Sequence, residues 1–174
     1  MDEETRRAQV EALFAEHARA VLAYARRRTD HATAADVVSD VFVVALQRLD
    51  DVPRDDPLPW LLGCARRVLL NQQRGQRRRA RLFERLAASA PRSQPERVLS
   101  DGALARALAT LGERDREALL LTAWEGLTAA QAARVLGCST QAFWVRSHRA
   151  RKRLAAALES NTTTPTLTME ACND

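Results

Sequence analysis

The sequence has few of the residues that build metal or redox sites. Its three cysteines are Cys64, Cys138 and Cys172. An odd number of cysteines this far apart excludes a C-x-x-C metal site and does not predict a set of disulfides. No histidine lies at ligand spacing from any of them. Cys64, within an apolar run, and Cys138, between two helical segments, are predicted instead to be small buried side chains.

Patterns typical of catalysis and of membrane insertion are also missing. There is no glycine-rich phosphate loop, no nucleophile elbow and no set of carboxylates or histidines at catalytic spacing. No run approaches the roughly eighteen apolar residues of a membrane helix, and no signal peptide is evident. We therefore expect a protein that catalyses no reaction, needs no cofactor, does not insert into membranes and acts in the cytoplasm.

Positive charge is abundant, and it is unevenly placed. The net charge is +5, and Lys152 is the only lysine among 27 Lys and Arg residues. Residues 1–60 carry 8 Arg and 12 acidic residues, whereas residues 61–174 carry 19 Lys and Arg and 10 acidic residues. Such an asymmetry is typical of a protein that contacts a polyanion with one part and a different partner with another.

Apolar residues recur at helical spacing along most of the chain, without a convincing strand pattern. This period predicts helices over about 5–28, 34–49 and 58–74, with arginine-rich helix continuing from there to residue 86. The stretch 87–100 loses the period and gains Pro, Ser and Gln, as linkers do. We therefore predict an all-α protein of two small helical domains joined by a flexible linker. The predicted boundaries are 5–86 for the first domain, 87–100 for the linker, 101–159 for the second domain and 160–174 for a disordered tail.

Residues 127–158 form the most informative segment of the chain. Thr128 and Gln131 have the spacing of a capping box at the start of a short amphipathic helix. Gly137 permits the sharp turn that follows, because glycine tolerates positive φ, and Ser139 is a good N-cap for a second, basic helix. This pattern predicts a helix-turn-helix whose second helix enters the DNA major groove. An αα-hairpin with a merely charged exterior is the alternative.

A second basic segment covers residues 60–85, where eight Arg and a single acid are interspersed with apolar residues. Arg offers forked donors to phosphates, and Asn71 and Gln72 can read base edges. On its own this segment would be an ordinary solvated basic helix. Two basic elements in separately folded domains favour a bipartite nucleic-acid binder, in which the linker raises the effective concentration of the second contact.

An acidic pair lies on the predicted second helix. Asp36 and Asp40 are one helical turn apart, so their carboxylates share a face. A metal ion would need further ligands nearby, and none is evident in the sequence. An acidic patch that docks on a basic partner is therefore the favoured interpretation.

Four stretches follow one another in a characteristic order: AADVVSDVFVVALQRL (34–49), PWLLGCARRVLLNQQRGQRRR (59–79), LGERDREALLLTAWEGLTAAQAARVLGCS (111–139) and SHRARKRL (147–154). Together they resemble the extracytoplasmic-function group of the sigma-70 family, the promoter-specificity subunits of bacterial RNA polymerase. The resemblance covers roughly residues 8–158. It implies that the chain has regions 2 and 4 of that family, joined by a short linker.

By position, the resemblance implies three functional surfaces and a set of core residues. The residues implied to bind the clamp helices of the polymerase β′ subunit are Asp36, Asp40, Val44 and Gln47. Those implied at the −10 element, which the 59–79 segment would bind and help melt, are Arg66, Arg67, Asn71, Gln72 and Arg74. Those implied at the −35 element are Gln141, Trp144, Val145, Arg146, His148, Arg149 and Lys152. The implied core residues are Phe42, Trp60, Leu119, Leu120 and Trp124.

A sigma factor would have as partners core RNA polymerase (β′ clamp helices and β subunit), promoter DNA and a cognate anti-sigma factor. The first alternative is a stand-alone helix-turn-helix regulator that binds duplex DNA as a dimer. It requires a self-association surface and leaves the separate arginine-rich helix unexplained. The second alternative is a helical adaptor that binds protein only. Affinity for core polymerase distinguishes the three.

Overall fold

The structure, a computed structural model, describes residues 3–86 and 102–162. Within those ranges it contains seven α-helices, one short 3₁₀ turn and no β-strand, so the all-α prediction is confirmed. None of the helices in these ranges is long and apolar enough to cross a membrane. The predicted linker, 87–100, lies outside the described residues, as do residues 163–174 of the predicted tail.

The first bundle consists of three helices: α1 (Glu3–Arg26), α2 (His31–Gln47) and α3 (Leu58–Leu86). α2 begins three residues before the predicted position 34, because Asp30 caps it. The Asp30 carboxylate accepts a hydrogen bond from the backbone N–H of Thr33 at 3.0 Å. α2 also ends earlier than predicted, since Leu49–Asp51 forms the 3₁₀ turn that leads into the proline-containing loop.

α3 is one uninterrupted helix with two different halves. Near its start, Leu61, Leu62 and Ala65 are buried in the core. Gly75 lies inside the helix, and a side chain there would meet no neighbouring atom. From residue 76 to residue 81 every side chain is exposed, so the arginine-rich half of α3 extends past the bundle.

The second bundle consists of four helices: α4 (Ala103–Thr110), α5 (Glu113–Ala123), α6 (Ala129–Leu136) and α7 (Thr140–Thr162). Leu108 and Leu111 pack with Leu119, Leu120 and Ala150 in a small core of their own. α7 continues three residues into the predicted tail, which began at residue 160.

The predicted turn between α6 and α7 is confirmed in each of its parts. The Thr128 hydroxyl accepts a hydrogen bond from the Gln131 backbone N–H at 3.3 Å, and the Thr128 N–H donates to Gln131 Oε1 at 2.9 Å. Gly137 has φ of 66°, in the left-handed region that favours glycine. The Ser139 hydroxyl accepts from the Ala142 N–H at 3.1 Å and so caps α7. These local bonds fix the angle between the two helices.

The two bundles share one apolar core rather than standing apart. Buried side chains of α3 and α6 belong to the same cluster. A Cβ atom built on Gly63 of α3 would lie 3.9 Å from the backbone of Val135 in α6, so the two helix backbones approach closely. Ala132 and Ala133 supply the small residues that this approach needs. The small-residue face of α6 therefore packs against the first bundle.

Most of the predicted core residues are buried, including Phe42, Leu119, Leu120 and Cys64. Trp60 and Cys138 are only half-buried and pack at the edge of the shared core. The prediction for Trp124 is wrong, because its side chain is 37% exposed. It follows the last turn of α5 at the junction of the bundles, where the Arg27 guanidinium lies 5.9 Å from its ring centroid.

Candidate nucleic-acid interface

α7 presents one broad basic surface to solvent, because its opposite side is anchored in protein. Phe143, Ser147 and Ala150 are fully buried on the anchored side. Of the seven side chains predicted at the −35 element, six are exposed and Arg146 is half-buried. The six exposed side chains are Gln141, Trp144, Val145, His148, Arg149 and Lys152. The helix therefore presents six of the predicted residues to solvent, and Arg146 lies at the border of the anchored side.

Part of this surface forms a groove beside α5. Gln141, Val145, Arg146 and Arg149 line it. Asp115 of α5 forms one wall and holds Arg153 by an ion pair of 2.6 Å. Within residues 3–86 and 102–162, neither Arg146 nor Arg149 forms an ion pair. Their guanidinium donors are therefore not engaged by any carboxylate of these described residues. Trp144 does not line the groove.

The predicted −10 surface on α3 is only partly open. Arg67, Asn71 and Arg74 are exposed, whereas Arg66 and Gln72 are half-buried. The Gln72 side-chain oxygen is buried and accepts no hydrogen bond from the described part of the chain. Arg66 lines a narrow cleft between the two bundles. Three of the five predicted residues are thus accessible, and the other two face inward.

The cleft that contains Arg66 is closed by acidic residues of the second bundle. Glu113 and Glu117 of α5 line it from one side, and Arg66 and Gln73 of α3 line it from the other. Gln73 was not among the residues predicted from the sequence. It lies one position after the predicted Gln72, and its place in the cleft depends on packing between bundles.

A cluster of polar residues joins the bundles beside this cleft; we name Tyr24, Arg27, Arg28, Glu117 and Glu125 the inter-bundle cluster. Arg28 donates from Nε to Glu117 at 3.1 Å and from Nη1 to Glu125 at 3.0 Å. Arg27 donates to the other oxygen of Glu125 at 2.7 Å. The side chains of Arg28, Glu117 and Glu125 are only 11%, 13% and 7% exposed, so these ion pairs are largely shielded from water.

Tyr24 completes the inter-bundle cluster. Its hydroxyl donates a hydrogen bond to Glu117 at 2.7 Å. Burial raises the pKa of the Tyr24 phenol well above its usual value, and the Glu117 carboxylate raises it further. The phenol therefore keeps its proton and its role as donor. The Arg28 guanidinium stacks 3.5 Å from the centroid of the Tyr24 ring, which fixes both side chains.

A second polar contact lies at another edge of the junction. Arg134 of α6 forms an ion pair with Asp56, in the loop before α3. Gln131 donates to the same carboxylate at 3.1 Å, so the capping-box residue of α6 also contacts the first bundle. The bundles are thus joined at two separate edges around the shared apolar core.

The residues of α2 that were predicted to bind polymerase differ in exposure. Asp36, Asp40 and Gln47 are exposed. Val44 is half-buried and packs against the core, so only part of its side chain is accessible to a partner. Val43 is 53% exposed instead. A shift of one position moves a helical side chain by about 100°, which separates these two neighbours.

No group of three or more potential metal ligands occurs in the part of the chain that the structure describes. Asp36 and Asp40 accordingly lack the further ligands that a divalent cation would need from protein. Their surface is acidic and open, and its chemistry suits a basic partner better than an ion.

Comparison with known proteins assigns the family. Residues 13–79 match the family model described as Sigma-70 region 2, and residues 101–154 match the one described as Sigma-70, region 4. The RNA polymerase sigma factor CnrH of Cupriavidus metallidurans is 36% identical over 140 residues, which cover 72% of this chain and 73% of CnrH. The ECF RNA polymerase sigma factor EcfG of Rhodopseudomonas palustris is 30% identical over 126 residues, or 71% of this chain and 70% of EcfG. The chain belongs to the extracytoplasmic-function sigma factors of the sigma-70 family.

The fold of this sigma factor matches that of a solved sigma factor over most of the chain, in agreement with the family assignment. The solved structure of CnrH in complex with the cytosolic domain of CnrY matches it with a TM-score of 0.61 and 29% identity. The match covers 89% of this chain and 90% of that one. The protein is therefore an RNA polymerase subunit for promoter-specific initiation, and the dimeric regulator and the protein-only adaptor are no longer needed as explanations.

Sequence reasoning missed the inter-bundle cluster of this sigma factor. Arg27 and Arg28 lie in a run of three arginines at the end of α1, which reads as an ordinary charged helix end. Their partners are 89 to 98 residues away in the sequence. No local spacing marks a contact of that range. Glu125, a single charge within the mostly apolar segment 118–127, was the only local signal, because Glu117 ends an ordinary charged run.

Proposed function

We propose that this sigma factor uses three separate helical surfaces for its three tasks. α2 binds core polymerase, α3 binds and helps open the −10 element, and α7 reads the −35 element. The chain itself performs no covalent chemistry, needs no cofactor and acts in the cytoplasm. The exposed groove of α7, with two arginines that pair with no carboxylate of the described residues, is the observation that carries this proposal.

The −35 assignment rests on how α7 is held. The capping box, the left-handed Gly137 and the Ser139 cap set a fixed angle between α6 and α7. A helix presented this way can enter a major groove, where arginine binds guanine O6 and N7 with two hydrogen bonds. Arg149 and Arg146 are the two candidates for that contact, while Lys152 and His148 suit backbone phosphates. Val145 is an apolar partner for a thymine methyl group.

The −10 assignment rests on the exposed side of α3. Arg67 and Arg74 provide forked donors for phosphates of a single strand, and Asn71 lies between them with an amide that can bind a base edge. Arg66 and Gln72 complete the predicted set but face inward. The three accessible residues can make the first contact with the single DNA strand. The two half-buried residues then extend that contact.

The polymerase assignment rests on the exposed acidic side of α2. Asp36 and Asp40 stand one turn apart, with Gln47 two turns beyond. Val43 is exposed beside them, and Leu46 is exposed as well. An apolar patch with an acidic border is complementary to a partner helix that carries apolar and basic residues. The clamp helices of the β′ subunit are the proposed partner here, and the β subunit is proposed to contact the second bundle.

An anti-sigma factor is proposed as a further partner. CnrH, 29% identical over nearly the whole structure, was solved in complex with the cytosolic domain of CnrY. A protein that covers the outer surfaces of both bundles would block polymerase and DNA together. Exposed apolar side chains on both bundles, such as Phe14 and Leu104, provide area for such a contact.

The deciding experiment mixes the purified chain with core polymerase that lacks its own specificity subunits and has no anti-sigma factor present. We expect co-elution in size-exclusion chromatography and run-off transcripts that begin at a defined set of genomic promoters. An Arg149→Ala variant serves as the internal comparison, since it should co-elute normally and initiate poorly at those promoters. Failure of the unaltered chain to bind core polymerase would refute the proposal.

A further inference from the structure

The groove of α7 contains a carboxylate among its basic side chains. Among the described residues that line it, Asp115 of α5 is the only acid. DNA presents negative phosphates to any protein that enters its grooves, so a carboxylate here opposes binding unless its charge is offset. Arg153 of α7 offsets it, since its Nη1 donates to the Asp115 carboxylate at 2.6 Å. The acid therefore lies in the groove as one half of an ion pair.

The two members of this pair are held to different degrees. Asp115 lies in the first turn of α5, where its backbone N–H donates to the Gly112 carbonyl at 3.0 Å. The side chain of Asp115 is only 18% exposed, whereas that of Arg153 is 64% exposed. Asp115 is thus the fixed member. It holds the outer end of a long side chain that would otherwise sample many rotamers in water.

The contribution of this pair to stability is expected to be small. An ion pair whose arginine is open to water is screened and adds little to the free energy of unfolding. α5 and α7 are already joined by apolar contacts, because Leu119 and Leu120 pack with Ala150. The pair is better suited to fixing a direction. Since Asp115 engages Nη1 of Arg153, the other N–H donors of the rigid, planar guanidinium are fixed in direction as well.

Arg153 is placed for a DNA backbone rather than for a base. In a helix-turn-helix, the N-terminal residues of the recognition helix contact base edges. Arg153 lies about 20 Å along the axis from Thr140, the first residue of α7, at about 1.5 Å per residue. A helix about 10–12 Å across fills a major groove about 12 Å wide, so its flanks lie against the two sugar–phosphate backbones. The group that Arg153 would meet there is a phosphate.

We propose that Asp115 is a positioning residue for the −35 contact, which fixes the Arg153 guanidinium so that its remaining donors face a phosphate at the edge of the major groove. The proposal rests on the function proposed above for α7. A mobile arginine loses rotamer freedom when it binds a phosphate, and Asp115 removes much of this cost before DNA arrives. Arg153 lies between the carboxylate and the phosphate, so the two negative groups share one cation.

The first test compares Asp115→Asn with Glu113→Gln in holoenzyme assembled on core polymerase. Both substitutions remove a negative charge from the first turn of α5, and Glu113 does not line the groove. On a duplex with a scrambled −35 element, both variants should gain affinity equally, because only net charge changes. On the intact promoter, we expect Asp115→Asn to bind about threefold to tenfold more weakly than Glu113→Gln. A positioning role thus predicts a loss where charge alone predicts a gain.

The second test asks whether Asp115 acts through Arg153. Arg153→Ala should reduce the slope of log affinity against log salt by about 0.9, the value for one phosphate contact. In the Arg153→Ala background, Asp115→Asn should no longer weaken promoter binding, because the side chain that it positions is gone. Arg153→Lys keeps the charge and leaves Asp115 in place, but an ammonium lacks the planar fork. We expect Arg153→Lys to lose about as much promoter affinity as Asp115→Asn.

The outcomes separate this proposal from the function on which it rests. Promoter affinity of Asp115→Asn equal to or above that of Glu113→Gln overturns the positioning role. A loss that persists in the Arg153→Ala background overturns the link through Arg153. Unchanged promoter affinity of Arg153→Lys also overturns the proposal, and that result does not require Asp115→Asn to fold. The proposed function fails on a different result, namely that the unaltered holoenzyme binds intact and scrambled −35 duplexes equally.

Discussion

The two basic surfaces of this sigma factor have the same chemistry and different accessibility. On α7, Arg149 and its neighbours face solvent along the whole helix side. On α3, Arg67 and Asn71 are open, while Arg66 lies in a cleft against the second bundle. The surface proposed for the −35 element is thus open to solvent in this structure, whereas one end of the surface proposed for the −10 element lies against the second bundle.

The difference follows from what positions each surface. α7 is oriented by bonds within a short segment, from the Thr128 cap to the Ser139 cap, and by its own buried side. The environment of α3 is set by contacts with residues far away in the sequence, such as Glu117. A surface held by local bonds is constant, whereas one bordered by a second domain changes whenever the domains move.

The largest effect, on the free energy of unfolding, is expected from removing the buried side chain of Phe143, which anchors α7 in the core. Phe143 is 1% exposed and belongs to the core that both bundles share. Phe143→Ala should lower the free energy of unfolding by about 3–5 kcal/mol, because it leaves a cavity there. Urea unfolding followed by circular dichroism measures this. Leu104→Ala, at an exposed position on α4, is the control and should change stability by less than about 0.5 kcal/mol. Similar values for both would show that α7 is not anchored there.

The next largest effect is expected on promoter affinity, from substitutions of the arginines that line the groove of α7. Arg149→Ala should weaken holoenzyme binding to a promoter duplex by about 1–3 kcal/mol if the side chain binds a guanine, and Arg146→Ala should act in the same direction. Arg151→Ala is the matched control, since Arg151 is exposed on the same helix and does not line the groove. Fluorescence anisotropy with intact and scrambled −35 sequences makes the measurement. Equal losses for Arg149 and Arg151 variants would mean that only total charge matters.

A smaller effect is expected on α2, which separates polymerase binding from DNA binding. Asp40→Arg, alone and combined with Asp36→Arg, should reduce affinity for core polymerase by roughly tenfold, since it places like charges against a basic partner. Binding of the isolated chain to duplex DNA should not fall. Asp55→Arg reverses an exposed charge in the loop before α3 and serves as the control. The assignment fails if the α2 variants and the loop variant bind core polymerase equally well.

The smallest effect on stability is expected from removing the capping box, and it tests whether local hydrogen bonds orient α7. Thr128→Ala removes the hydroxyl of the capping box and should cost about 1 kcal/mol of stability, which lowers Tm by about 3 °C. Thr140→Ala, at an exposed position in the first turn of α7, is the comparison. Differential scanning calorimetry measures the Tm of both variants and so distinguishes them. An unchanged Tm for Thr128→Ala would contradict the capping role.

The features that could be predicted from the sequence are those set by interactions between residues close together in the chain. The capping box, the left-handed Gly137 and the Ser139 cap each depend on residues within a few positions of one another. The same holds for the exposure of Asp36 and Asp40, because helical period alone assigns their face. The helix-turn-helix and most of the surface proposed to bind polymerase depend on these features.

The errors arose where packing between elements decides. Val44, which the resemblance places at the polymerase surface, packs on the core, while its neighbour Val43 is exposed. The orientation of α2 on the bundle is not encoded in a run of apolar residues. Trp124 was predicted buried and is partly exposed beside Arg27. The inward position of Arg66 likewise depends on the other bundle. Each of these needs knowledge of a partner surface that no local pattern supplies.

Gly63 gives the spacing between α3 and α6 an unusual sensitivity to side-chain size. A methyl group there would sit at ordinary contact distance, 3.9 Å from the Val135 backbone, so alanine fits without displacing either helix. Any longer side chain must wedge the helices apart. The size of the residue at this one position therefore limits how closely the first and second bundles can pack.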